Sequence, residues 1–288
     1  MTLLLRCEAA GVWDNGERMR WINRRPKHAG ALALVPFLLA TVLYLAGSAV
    51  RLSDNPNDKL MPAPTSMLQS WSSMALERDA RSGTYLFWAD TKASLVRMGL
   101  GLAIATLLSL AIGMTIGMLP LVRSALGAMV TTTAMIPALS ILPILFIVFG
   151  VGEVAKVALI VIGVLPFMIR DLSQRVREIP EEQWIKAQTL GASSWQIATR
   201  IVLPQITPRL TDSVRLSLGA AWLFLISAEA ISATSGLGYR IFLVRRYLSM
   251  DIILPYVAWI TLLAFAFDYG LRALRSWRYA WLEAETAG

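Results

Sequence analysis

Three stretches of the chain run without a charge for long enough to cross a bilayer: Ala29 to Val50, Met98 to Val122 and Ser124 to Gly152, of 22, 25 and 29 residues. About 20 apolar residues in a helix span the ~30 Å hydrocarbon core, where every backbone N–H and C=O has to be satisfied within the segment. Runs of this kind fold as membrane helices. Composition agrees, because 56% hydrophobic against 16% charged over 288 residues is too apolar for an ordinary soluble domain. The net charge of +8 does not point to nucleic acid, since the basic residues flank apolar runs and form no single stripe with interleaved aromatics. One cysteine, Cys7, excludes an intramolecular disulfide framework and a Cys-rich metal site.

The runs order the chain. Residues 1–28 form a polar N-terminal segment crowded with arginines, and 29–50 is the first transmembrane helix. An external loop at 51–97 holds the Pro62-Ala63-Pro64 turn and a short helix starting near Thr65. The core, 98–273, carries five more spans, and 274–288 is a tail. The second span, 98–122, contains Gly113 and Gly117 at the GxxxG spacing that lets two helix backbones approach. The third, 124–152, holds Pro137 and Pro143. Each removes a helix donor, so a kink or break is expected there, leaving carbonyls that face protein or a polar cavity. Thr132, Pro137, Ser140 and Pro143 are therefore candidates for a translocation path, although helix hydroxyls also bond back to their own carbonyls. Val154 to Ile169 is the fourth span and Asp212 to Ala233 the fifth, with Glu229 near its far end as a further path or gate candidate that Arg240 or a neighbouring helix could satisfy. Ile252 to Leu271 is the sixth, with Asp268 and Arg272 spaced to pair on one face. The expectation is an all-α membrane protein of about six transmembrane helices.

Between the fourth and fifth spans lies a polar stretch, Glu181 to Pro208. Glu181 to Leu190 suits a short helix, Gly191 a left-handed turn, and Ser193 or Ser194 an N-cap for a second helix that Pro204 is expected to stop near Leu203. The stretch resembles the EAA loop of ABC-importer permeases, whose pattern is Glu-Ala-Ala, three residues, Gly, nine residues, Ile, one residue, Leu-Pro. Gly191, Ile201, Leu203 and Pro204 match it. Ile185, Lys186 and Ala187 fill the first three positions, where only the last agrees. Met61 to Pro64, Ser94 to Arg97 followed by Gly101, Ala228-Glu229-Ala230 and Gly236-Leu237-Gly238 resemble further landmarks of the nitrate/sulfonate/taurine-type permeases.

The resemblance implies a type I ABC-importer permease architecture with a cytoplasmic coupling hairpin at 181–208, in the bacterial inner membrane. It also implies a second permease copy or close relative, two cytosolic ATPases each gripping one hairpin, and an external substrate-binding protein. The solute would be a small polar nitrogen or sulfur compound, with a guanidinium- or urea-type compound as the other possibility. Charge bias agrees independently: with both termini inside, 17 of the 27 Lys and Arg residues fall on inner segments. No GxxxxGK[ST] phosphate loop is present. The nearest string, Gly150 to Lys156, lacks Gly before Lys and Ser or Thr after it. ATP and Mg are thus expected on the partner ATPase, this chain binding no cofactor and not itself an enzyme. The rival is a stand-alone secondary transporter or channel coupled through Glu229 and Asp268.

Overall fold

The structure, a computed structural model, describes residues 29–279 apart from Asn57 and Arg81. The expected N-terminal segment 1–28, with Cys7 and His28, and the end of the tail at 280–288 lie outside the described residues. The chain divides into two units, one ending at Met61 and the other beginning at Pro62.

In the first unit α1 (Ala29–Asp54) covers the first expected span and exceeds it by four residues at its C-terminal end. Phe37, Leu38 and Leu43 stand exposed along it, as suits a helix whose solvent is hydrocarbon. Its far end is folded back on itself. Ser48 Oγ donates to the Met61 carbonyl at 3.0 Å, and Arg51 pairs with Asp58. The Arg51 guanidinium and the Leu60 N–H hold the Asp58 carboxyl below the usual carboxylate range.

The second unit contains α2 (Pro64–Leu76), α3 (Leu86–Met118), α4 (Pro120–Thr133), α5 (Ala138–Phe149) and α6 (Glu153–Arg177). It continues with α7 (Glu181–Thr189), α8 (Ser194–Ile197), α9 (Leu203–Ser232), α10 (Leu237–Val244) and α11 (Met250–Arg278). Its centre is α6, whose Leu159, Ile160, Val164, Met168 and Leu172 are buried against α3 and α9. The GxxxG spacing on α3 makes this possible. A Cβ at Gly113 would lie 2.9 Å from the Leu172 Cβ, and one at Gly117 only 2.4 Å from the Val176 Cβ, so larger residues would push the helices apart.

Among the described residues four helical stretches are long and apolar enough to cross a membrane, with the bent pair α4 and α5 as a fifth. The remaining expected span, 154–169, lies within α6. By length and composition alone α6 does not qualify. Its charged residues are tolerated by position: Lys156 is only 3% exposed and bonds to Glu153 at 2.9 Å.

Several boundaries differ from expectation. The second span begins at Leu86, three turns before Met98, and ends at Met118. Pro120 cannot donate and opens α4 instead. Arg97, expected to flank a span in the external loop, lies inside α3 and is 5% exposed, because two carboxylates neutralise it. The third span breaks as expected, by 97° between α4 and α5, with Pro137 as the N-cap of α5. Pro143, by contrast, sits within α5 without ending it.

Candidate functional site

At the hairpin, local chemistry sets the fold. Pro180 precedes α7, and Glu181 and Glu182 occupy its first turn, where the helix dipole favours acids. The helix closes in a Schellman motif. The Gly191 N–H donates to the Gln188 carbonyl at 2.9 Å and the Ala192 N–H to the Ala187 carbonyl at 3.0 Å, while Gly191 takes φ +76°. Of the two candidate caps, Ser193 is the one used. Its Oγ accepts from the Gln196 N–H at 3.3 Å, and the Ser193 N–H donates to the Gln196 side chain at 2.8 Å, a reciprocal capping box.

Pro204 does not stop the second helix. From Ala198 to Val202 the chain widens into a π-turn, in which the Leu203 N–H reaches the Ala198 carbonyl, and it then runs through Pro204 and Pro208 to Ser232. The wider turn absorbs the N–H that Pro204 lacks, so the expected stop becomes a continuous connection from hairpin to span.

Ala187, Ile197 and Val202 are buried and join the main core. Gln205 donates to Gln183 at 2.8 Å, tying α9 to α7. Ile201 and Leu203 are half-buried, and Lys186 is exposed. The outer side carries large apolar groups in the open: Ile185 is 53% exposed, Trp195 76% and Leu190 87%.

At the other end of α9 the arrangement is inverted. Glu229, fully buried, accepts from Ser94 Oγ at 2.8 Å, from Arg97 at 2.7 Å and from the Gly238 N–H at 2.9 Å. It is Arg97, and not Arg240, that satisfies Glu229. Arg97 also donates to the Ser235 carbonyl at 2.7 Å and to Glu153 at 2.9 Å. Arg240 instead pairs with Asp90 at 2.7 Å, and Tyr256 donates to the same carboxylate oxygen at 3.3 Å. Burial disfavours the charge on Arg240, but Asp90 more than restores it and holds the group above its ordinary value.

These side chains cap α10. The consecutive N–H groups of Gly236, Leu237 and Gly238 donate to Asp90 at 2.9 Å, Ser94 at 2.8 Å and Glu229 at 2.9 Å, so three of the four free donors at a helix N-terminus are satisfied by acidic or hydroxyl oxygens. Gly236 has φ +132°, and a Cβ there would lie 2.5 Å from the Glu229 carboxyl carbon. Around this knot Phe87 packs edge-on to Trp71, Trp88 and Tyr256, while Glu153, on its outer edge, is exposed. The landmark residues 94–97, 229 and 236–238 thus meet at one point. Asp90 and Tyr256 were missed. Asp90, Ser94 and Arg97 repeat at i, i+4 and i+7 on one face of an otherwise apolar helix, a polar stripe that could have revealed the knot.

The remaining path candidates are separate from both sites. Thr132, Pro137, Ser140 and Pro143 are exposed on α4 and α5. The hydroxyls of Thr131, Thr132 and Thr133 each bond at 2.9 Å to a carbonyl four residues back, which is the back-bonding alternative. Asp268 bonds Arg272 as the spacing implied, at 2.9 Å, and also Arg215 at 3.0 Å.

Residues 98–277 match the family model described as binding-protein-dependent transport system inner membrane component. The taurine transport system permease protein TauC of Escherichia coli is 32% identical over 215 residues, covering 75% of this chain and 78% of TauC. The putative aliphatic sulfonates transport permease protein SsuC of Bacillus subtilis is 24% identical over 247 residues, 85% of this chain and 86% of its own. The fold is similar to the crystal structure of a bacterial ABC transporter involved in the import of the acidic polysaccharide alginate, at TM-score 0.61 and 13% identity, over 90% of this chain and 96% of that one. With helices long enough to cross the membrane, a broken span and a family match across most of its length, the chain belongs to the binding-protein-dependent transport system inner membrane components and is a permease subunit of an ABC importer.

Proposed function

We propose that the chain imports a small anion of the sulfonate class, delivered by an external binding protein, and that 181–208 is the hairpin through which a cytosolic ATPase drives it. The observation that carries the coupling role is the exposed apolar set Ile185, Leu190 and Trp195 on a hairpin held by a Schellman turn, a capping box and the buried Ala187. Large apolar groups in water on a segment this firmly held are the marks of a docking surface. ATP and Mg are held by that ATPase. Two hairpins, one from this chain and one from a second copy or close relative, engage two ATPases, and the path runs between the two permeases. Two-fold closure is the commonest way to cover a broken span such as α4 and α5.

The same placement makes the hairpin and both termini cytoplasmic and the chain a multi-pass protein of a bacterial inner membrane. The anion reading draws on the relatives named for taurine and aliphatic sulfonates. Glu229, the residue that would have favoured a guanidinium-type cation, has its carboxylate committed to Ser94, Arg97 and Gly238.

Membrane vesicles containing the whole importer and its binding protein test both parts. Trp195→Ala is expected to lower ATPase retention on purification and uptake together, by about tenfold or more in affinity if Trp195 is an anchor. Labelled taurine or an alkanesulfonate is expected to be taken up and a guanidinium compound not. Full ATPase retention by Trp195→Ala would reject the docking surface, and uptake of the cation alone would reject the anion.

A further inference from the structure

Beside the inward end of α3 lies a cavity of about 290 Å³ whose lining includes Arg123, Thr131, Arg170, Ser173, Gln174 and Arg177. It opens between α4 and the last two turns of α6, three residues before the hairpin begins. Three arginines line it, Arg123 half-buried and Arg170 and Arg177 at its exposed rim, and no carboxylate does. The nearby acids at the end of α6 are committed elsewhere: Asp171, and Glu178 just beyond the helix, both pair with Arg175, at 3.5 and 3.2 Å. Among the described residues Arg123, Arg170 and Arg177 have no acidic partner.

Topology alone would ask only for basic residues somewhere near this end of the spans. It does not ask that they converge from two helices on one hollow, where like charges repel unless something negative lies between them. Backbone around the hollow is fixed. Ser173 Oγ bonds the Arg170 carbonyl at 2.9 Å, and Thr131 Oγ1 the Gly127 carbonyl at 2.9 Å. Arg177 Nε donates to the Ser173 carbonyl at 3.3 Å, which leaves its two terminal nitrogens and the forks of Arg123 and Arg170 available, and planar guanidinium groups match the oxygens of a phosphate or sulfonate. The size of the cavity sits at the small end of ligand sites.

We infer that Arg123, Arg170 and Arg177 form a binding site for a single phosphate- or sulfonate-type oxyanion, which clamps α4 to the end of α6. Such a group could come from the headgroup of an acidic phospholipid or from a small free ion in the cytosol. The site stands whether or not the hairpin docks an ATPase.

The full chain in neutral detergent provides the test, with two probes. Native mass spectrometry would follow retention of phosphatidylglycerol against phosphatidylethanolamine, and thermal unfolding would follow titration with methanesulfonate or inorganic phosphate. Arg123→Gln/Arg170→Gln removes the charges. Gly127→Leu fills the hollow with the arginines kept, and it should fold, because a Cβ at Gly127 meets only the Arg123 Cγ at 3.9 Å and leucine is the better helix former. Both variants are expected to weaken binding at least about tenfold, as the loss of charge-assisted bonds implies, while Arg246→Gln, at an exposed arginine outside the cavity, leaves it unchanged. A response in the lipid arm identifies a headgroup, and one in the small-ion arm identifies a free oxyanion. If neither probe binds, or binding survives both variants, there is no such site.

Discussion

The helix α9 ends in two joints of opposite character. At the hairpin end the contacts are local in sequence, polar bonds shape the turn, and large apolar side chains are left in the open. At the far end a glutamate, an aspartate and an arginine are buried together with a second, half-buried arginine, and their partners come from 132 to 150 residues away. A turn built from neighbours can be stiff without a large core behind it, so it can present a surface to another molecule. Buried charges tolerate no such exposure: each has to find its partner, and in doing so they fix α3, α6, α9, α10 and α11 to one another.

The contrast is sharpest when each joint is broken. Glu229→Ala leaves Arg97 buried with one acid lost, and removal of one partner from a buried pair costs about 3–5 kcal/mol. The yield of folded protein from membranes and its unfolding temperature should fall steeply. Glu229→Gln, which keeps the shape, should fall less and should still support uptake that is insensitive to a protonophore at constant ATP. Gly236→Ala comes next. Its positive φ and the 2.5 Å approach to the Glu229 carboxyl combine strain of ~1–3 kcal/mol with a clash, so it too should read out as lost thermal stability.

Gly191→Val imposes comparable backbone strain of ~1–3 kcal/mol at a site with open space around the Cβ. Here thermal stability should be nearly normal, while ATPase co-purification and uptake drop. If Gly191→Val unfolds the protein as Gly236→Ala does, the distinction between the joints fails. The smallest effect is expected at Pro204. Because the π-turn already accommodates the missing N–H, Pro204→Ala should change the unfolding temperature and uptake little, with a stability change below ~1 kcal/mol.

The hairpin was legible because its information is local. Glu181 to Leu190, the positive φ at Gly191 and the cap at Ser193 each follow from residues within a few positions. A charge or a proline reads in sequence as the end of a membrane helix, and here neither rule holds throughout. Arg97 reads as a flank because its partners, Glu153 and Glu229, are 56 and 132 residues away. Pro204 reads as a stop because a π-turn leaves no mark in composition. The third span shows both outcomes, since Pro137 breaks the helix and Pro143 does not.

The π-turn at 198–202 also acts as a setting of angle. One residue of helix is about 100° of rotation, so a turn holding one residue more than an α-turn swings everything before it around the axis of α9 by roughly that amount. The compass bearing at which Trp195 and Leu190 face a partner is therefore fixed by the number of residues in this short stretch more than by their identity. Closing it to a plain α-turn would keep every contact surface of the hairpin intact and aim it in the wrong direction.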